Sequence, residues 1–136
     1  MLKHLLAPLV LASALLGGIA TAASTEHHIN AKLEPVGNSG VSGTVMLTAL
    51  PKGGTLITIV AKGLHPGTQY LSLYYENGTC DLEPYEEDDV IGRYTADASG
   101  EARVTNKLDD DLDEIHSVSV RAAGDFALQA CAAVNQ

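Results

Sequence analysis

Apolar and polar residues alternate with a period of two along most of this chain, which is the pattern of half-buried β-strands. Ile29, Ala31 and Leu33 alternate with polar neighbours, and the same spacing returns between residues 41 and 47. Six more segments have the composition of short strands: 55–61, 70–75, 90–96, 101–107, 115–122 and 126–134. About eight short strands with turn residues between them predict an all-β protein, a sandwich or barrel of antiparallel strands.

The predicted strand over residues 70–75 has two chemically different faces. Its apolar face is predicted to lie in the core and comprises Leu71, Leu73 and Tyr75. The opposite face carries Tyr70, Ser72 and Tyr74. This second face is too polar for a core and too aromatic for an ordinary surface, so we interpret it as a face built to bind something.

The first residues have the layout of a secretory signal peptide. Lys3 and His4 precede an apolar run that ends at Leu16, and small residues follow at positions 20–23. The apolar run is shorter than the roughly 20 residues that span a bilayer. We therefore expect residues 1–23 to be removed and residues 24–136 to form one domain of a secreted or periplasmic protein without a membrane span.

The chain is acidic, with 17 Asp and Glu residues, eight Lys and Arg residues and a formal net charge of −9. Nucleic-acid phosphates are bound by Lys and Arg, so this balance argues against a nucleic-acid partner. Acidic residues are concentrated in segments 81–89 and 108–114, and the second of these could also form a helical turn. Neither segment has the ligand spacing of an EF-hand, so we expect solvated loops rather than calcium sites.

Cys80 and Cys131 are the two cysteines of the chain. Export to an oxidising compartment favours a disulfide between them over a metal-thiolate pair or two free thiols, because no CxxC spacing is present. Residues 77–79 read Asn-Gly-Thr, which is a tight-turn signal and also a glycosylation sequon in a eukaryotic host. We find no nucleophile motif and no phosphate-binding glycine loop, so we expect no catalytic residues.

Several segments occur in the order found in the copper/zinc superoxide dismutases, and the chain resembles that family. They are VSGTV at 41–45, TLITIVAKGLHPG at 55–67, NGTC at 77–80, SVSVRA at 117–122 and ALQACAAV at 127–134. The resemblance implies a Greek-key β-barrel of eight strands. It also places Cys80 and Cys131 at the positions of the family's disulfide.

The departures from the family concern its metal site. The resemblance puts Ser72, Tyr74 and Arg121 where the family has copper-binding histidines, and DLEPYEEDD at 81–89 where it has a zinc-binding loop. An apolar residue near Leu128 replaces the family's arginine before the last cysteine. Serine is not a useful Cu(II) ligand, and a guanidinium is permanently charged. We therefore expect a metal face that has lost its metal, with no cofactor and no dismutase activity.

These observations predict an exported, non-catalytic binding module whose partner is another exported protein. The predicted binding patch comprises Tyr70, Ser72, Tyr74 and Arg121, because Tyr and Arg are favoured at binding hot spots. A polar outer face without any partner would explain the same residues. The alternative hypothesis is a metal-handling, copper-binding protein or a dismutase-family enzyme with rearranged ligands. His27 and His28 or the acidic loops would then supply those ligands.

Overall fold

The computed structural model describes residues 27–135, so the expected signal peptide at residues 1–23 lies outside the described residues. The strands are β1 (His28–Pro35), β2 (Ser42–Ala49), β3 (Thr55–Lys62), β4 (Gln69–Tyr75), β5 (Val90–Thr95), β6 (Ala102–Leu108), β7 (Ser117–Ala122) and β8 (Leu128–Ala133). Single 3-10 turns occur at Glu87–Asp89 and Leu112–Glu114. All eight predicted strands are confirmed, and the second acidic segment contains the helical turn that its sequence allowed. Among residues 27–135, no helix is long and apolar enough to cross a membrane.

The strands form one antiparallel sheet in the order β5-β4-β7-β8-β1-β2-β3-β6. Its two end strands, β5 and β6, face each other, and Asn106 Nδ2 donates a hydrogen bond to the Ile91 carbonyl at 2.9 Å. The sheet therefore nearly closes into a barrel. The connections from β3 to β4 and from β6 to β7 cross between non-adjacent strands, which gives the expected Greek-key topology.

Two apolar clusters lie on the two sides of β4. The larger cluster fills the barrel, where Leu33, Leu47 and Ile59 are fully buried. The smaller cluster lies outside the barrel, beneath the loops at 76–89 and 123–127. It comprises Leu71, Leu73, Tyr75, Cys80 and Val90, with Ala123, Phe126, Leu128 and Cys131 packed against them. Both faces of β4 are consequently buried.

Gly43 in β2 marks a close approach between two strands. Its φ is +149°, and a Cβ atom at this position would lie 1.9 Å from the carbonyl oxygen of Val60 in β3. A backbone oxygen held in a sheet cannot move aside without breaking the ladder, so glycine is required here.

Gly43→Ala is expected to lower the free energy of unfolding by about 3 kcal/mol or more, because the new methyl group meets fixed backbone. Gly37→Ala is the matched control, since Gly37 has a φ of +58° but no atom within 4 Å of the added Cβ. That substitution should cost only the backbone penalty of about 1–2 kcal/mol. Urea unfolding of both variants checks the difference, and equal losses would show that the close approach is not the cause.

Candidate functional site

Three residues of the predicted binding patch point into the barrel. Tyr70, Ser72 and Tyr74 are exposed by 2%, 0% and 8%, and the two tyrosines belong to the main core cluster. The expectation that this face lies outside the core is therefore wrong. The physical reason is that loops cover the other face of β4, so the strand is buried on both sides.

The polarity of this inward face is satisfied by internal hydrogen bonds. The Tyr70 hydroxyl accepts a hydrogen bond from the His65 backbone N–H at 2.9 Å. Ser72 Oγ lies 2.7 Å from the Tyr94 hydroxyl. A buried hydroxyl that keeps a partner is tolerated in a core, so these residues need no external ligand to explain them.

Arg121 lies on the opposite side of the sheet from Ser72 and Tyr74. It pairs with Leu71 in the ladder between β4 and β7, and paired residues share a face. The four residues of the predicted patch therefore do not form one surface. The three positions that the resemblance assigns to copper ligands do not converge either, so this donor set does not fit a copper ion.

The buried guanidinium of Arg121 joins three parts of the smaller cluster. Its Nε donates to the Tyr75 hydroxyl at 2.9 Å, its Nη1 to the Phe126 carbonyl at 2.7 Å and its Nη2 to the Cys80 carbonyl at 2.8 Å. Within residues 27–135, Cys80 and Phe126 are the two non-glycine residues with positive φ, at +57° and +61°. Such a conformation costs about 1–2 kcal/mol. Arg121 thus stabilises two turns that are locally unfavourable.

Two serines of β7, which the sequence analysis did not single out, extend this polar network. Ser117 Oγ accepts a hydrogen bond from the Cys80 N–H at 3.1 Å and donates to the Asn77 carbonyl at 2.5 Å. Ser119 Oγ lies 2.8 Å from the Tyr75 hydroxyl. The sequence contained a signal for this network: Ser117, Ser119 and Arg121 alternate with valines in β7. That spacing places the three polar side chains on one face of the strand.

The disulfide between Cys80 and Cys131 is confirmed. It fastens the loop after β4 to β8, next to the contacts of Ser117 and Arg121. One covalent bond and several buried hydrogen bonds therefore hold the start of this loop against the barrel.

A groove opens where the loop after β4 meets the loop after β6. It consists of two adjoining cavities, of about 220 Å³ and about 400 Å³, which share Tyr74, Asp89 and Asp110. Tyr85 lines the smaller cavity and Lys107 the larger one. We call this feature the acidic groove. Tyr74 is the member of the predicted patch that lines it.

Carboxylates dominate the lining of the acidic groove. Four acidic residues line the smaller cavity and six the larger, and two are shared, so the groove takes eight of the chain's 17 acidic residues. They are Glu76, Glu83, Glu86, Glu87, Asp88, Asp89, Asp109 and Asp110. Glu87 forms a salt bridge with Arg93, and the hydrogen bond from that guanidinium lowers the pKa of Glu87.

Tyr74 connects the barrel core to the groove. Its hydroxyl donates a hydrogen bond to the Asp88 carbonyl at 3.4 Å, and the carboxylates of Asp110 and Asp89 lie nearby. Burial raises the pKa of Tyr74, and the negative charges of these two carboxylates raise it further. The hydroxyl therefore stays protonated at neutral pH.

The histidines of the metal-handling hypothesis lie at the start of β1. His27 and His28 are exposed, and His28 Nδ1 lies 2.8 Å from Thr48 Oγ1. Among the described residues, no group of three or more His, Cys, Asp or Glu side chains is arranged to hold a metal ion.

No model of a known protein family matches the chain, and no curated protein matches it significantly. The resemblance to the copper/zinc superoxide dismutases accordingly depends on the five sequence segments named above, and it remains a hypothesis.

Arg121→Met is expected to lower the free energy of unfolding by about 3 kcal/mol. Three buried acceptors lose their donor, at about 1–3 kcal/mol each. Removing the cost of burying a charge offsets part of that loss. Arg103→Met, on an exposed position of β6, is the matched control and should change stability by about 0.5 kcal/mol or less. Urea unfolding measures both, and similar losses would contradict the role given to Arg121.

Stability is expected to fall in alkaline solution because of Tyr94. Burial raises the pKa of Tyr94 from its ordinary value of 10.0 to about 12. Since the folded pKa lies above the unfolded one, the stabilisation is complete below about pH 10 and is lost as the pH rises towards 12. The loss is up to about 1.4 kcal/mol per pH unit for this one group. Tyr74, whose pKa is also raised, adds to it.

Urea unfolding at pH 9, 10 and 11 measures this slope, and tyrosinate absorbance follows the ionisation. Tyr94→Phe should remove the contribution of Tyr94 and make the slope shallower. An unchanged slope in that variant would show that the alkaline instability has another source.

Proposed function

We propose that this protein is an exported, non-catalytic binding module related in fold to the copper/zinc superoxide dismutases. It docks a positively charged segment of another exported protein in the acidic groove, between the loop at 76–89 and residues 106–110. The disulfide between Cys80 and Cys131 supports export, and together with the Greek-key barrel it supports the relation in fold. The divergent directions of Ser72 and Arg121 support a role without copper chemistry.

The observation that carries this proposal is the charge of the groove lining. The described lining contains eight acidic residues and one lysine. Of the eight, Glu87 is partly neutralised by its salt bridge to Arg93. A concave surface of one sign concentrates its field and attracts a partner of opposite sign. The ring of Tyr85, which is 37% exposed, adds contact area and a face for cation–π contacts with Lys or Arg side chains.

The groove is also held in shape before any partner arrives. On one wall, Asp89 Oδ2 accepts the Glu86 backbone N–H at 3.0 Å. On the other, the Asp110 carbonyl accepts the hydroxyl of Thr55 at 2.9 Å. Walls that are already ordered lose little conformational freedom on binding, so more of the charge attraction appears as affinity.

A defined peptide tests the groove directly. A labelled ten-residue peptide rich in lysine and arginine should bind the protein in fluorescence anisotropy, and a glutamate-rich peptide of the same length should not. Asp89→Asn/Asp110→Asn removes two negative charges and keeps a side-chain oxygen at position 89 that can accept the Glu86 backbone N–H. It should weaken binding of the cationic peptide about tenfold, since each partly exposed ion pair contributes up to about 1 kcal/mol.

The matched control is Glu101→Gln/Asp113→Asn, which makes the same charge change at two exposed residues outside the groove. This variant should bind the cationic peptide within about twofold of the wild type, because surface charges beyond a Debye length of about 8 Å are largely screened. If both variants weaken binding equally, net charge rather than the groove is responsible. A native partner captured from the envelope should be lost with the groove variant and kept with the control.

A further inference from the structure

The outer face of β1, β2, β3 and β6 is open, unlike the outer face of β4, β7 and β8. The ladders align its outward side chains in three rows of four across the strands. The rows are His28, Thr48, Leu56 and Lys107; then Asn30, Met46, Thr58 and Thr105; then Lys32, Thr44, Val60 and Arg103. Each of these side chains is exposed or half-buried. We call this surface the basic face.

The charges of the basic face have one sign, although the protein is acidic. Among the twelve described side chains of the three rows, none is a carboxylate, and the corners are His28, Lys107, Lys32 and Arg103. Glu34, further along β1, approaches Lys32 Nζ at 3.5 Å, but both side chains are well exposed, so this pair contributes little.

Most of the exposed Lys and Arg residues lie on or beside this face. Residues 27–135 contain seven Lys and Arg residues, of which Arg121 is buried, Arg93 lies in β5 and Lys52 lies in the β2–β3 turn. Of the other four, Lys32, Arg103 and Lys107 belong to the basic face, and Lys62 lies beside it at the end of β3; Lys107 also borders the acidic groove.

The centre of the basic face is apolar. Met46 is 37% exposed and Leu56 is 40% exposed, and they lie on neighbouring strands. A shallow depression of about 380 Å³ lies between them, with His28 and Arg103 at its edge. Apolar side chains surrounded by cations suit a boundary between water and anionic headgroups, where the apolar groups enter and the cations contact phosphate.

We infer that the basic face docks the protein reversibly on an anionic phospholipid surface. The dimensions favour a lipid surface over a protein partner. Three strand spacings of about 4.8 Å and four residues of about 3.3 Å give a rectangle of roughly 190 Å². A stable protein interface needs about 800 Å² on each partner, whereas peripheral lipid docking needs only a few cations and some apolar area. This inference does not depend on the function proposed for the acidic groove.

Vesicle flotation tests the inference. The protein is purified after export, its N-terminus is determined by mass spectrometry, and it is mixed with vesicles of phosphatidylcholine alone or with 30% phosphatidylglycerol. Wild type should float with the anionic vesicles at low salt and much less at 0.15 M salt, because the charges are then screened. It should not float with the neutral vesicles.

Single-charge variants make the test specific to this face. Arg103→Gln should lower partitioning about fivefold, which corresponds to one cation near an anionic surface. Lys52→Gln makes the same charge change in the β2–β3 turn and should lower partitioning less than Arg103→Gln, because the turn lies off this face and its cation is further from the lipid surface. Met46→Ser/Leu56→Ser should also lower partitioning, since it removes the apolar centre while keeping every cation.

Three results would overturn the inference: no flotation with anionic vesicles at low salt, equal effects of Arg103→Gln and Lys52→Gln, or equal flotation with neutral vesicles. A dimer that Arg103→Gln dissociates, without vesicle binding, would also overturn it and assign the face to a protein contact. The variant Asp89→Asn/Asp110→Asn separates the two proposals. It should lose binding of the cationic peptide and keep vesicle binding, so either proposal can fail alone.

Discussion

The structure outside the barrel depends on one buried cation, the guanidinium of Arg121. Burying a charge away from water is costly unless hydrogen bonds replace its hydration. Here the replacements come from one hydroxyl and from the carbonyls of Cys80 and Phe126. Among the described residues, no acidic side chain forms a salt bridge with Arg121. The guanidinium is stabilised by carbonyls from both loops, and its hydrogen bonds in turn stabilise both loops. The two loops are therefore expected to become ordered together.

Coverage of the barrel by these loops changes the environment of β4. A strand in an open barrel has one buried face, and its other face is solvated. Here the loops at 76–89 and 123–127 form a second apolar cluster over β4, so both faces are buried. Each buried hydroxyl on this strand then needs a partner inside the protein. Tyr74 meets that need at the barrel rim, where its hydroxyl donates to the Asp88 carbonyl beside the acidic groove.

The charge distribution is more informative than the net charge of −9. The acidic groove takes eight acidic residues, while four basic residues are on the outer face of a different part of the sheet. Lys107 lies at the boundary and borders both surfaces. At physiological salt, charges separated by more than about 8 Å are largely screened. The two surfaces can therefore act on partners of opposite charge within one acidic protein.

The sequence by itself determined the fold class, the eight strands and the pairing of Cys80 with Cys131. These features follow from local signals, namely period-two alternation, turn residues and two cysteines in a chain with export features. Alternation also assigned Tyr70, Ser72 and Tyr74 correctly to one face of β4. Alternation could not determine whether that face lies inside or outside the barrel. A period of two assigns residues to two faces of a strand but does not indicate which face packs against the core and which against loops.

Tertiary structure decided the rest. Burial of the inward face depends on closure of the barrel, and the separation of Arg121 from Ser72 depends on the register between β4 and β7. The acidic groove combines residues 76–89 with residues 106–110, and the basic face combines four strands that are not all consecutive. The groove and the face consist of side chains distant in sequence. Only the path of the chain through the Greek key brings them together, and no local pattern encodes that path.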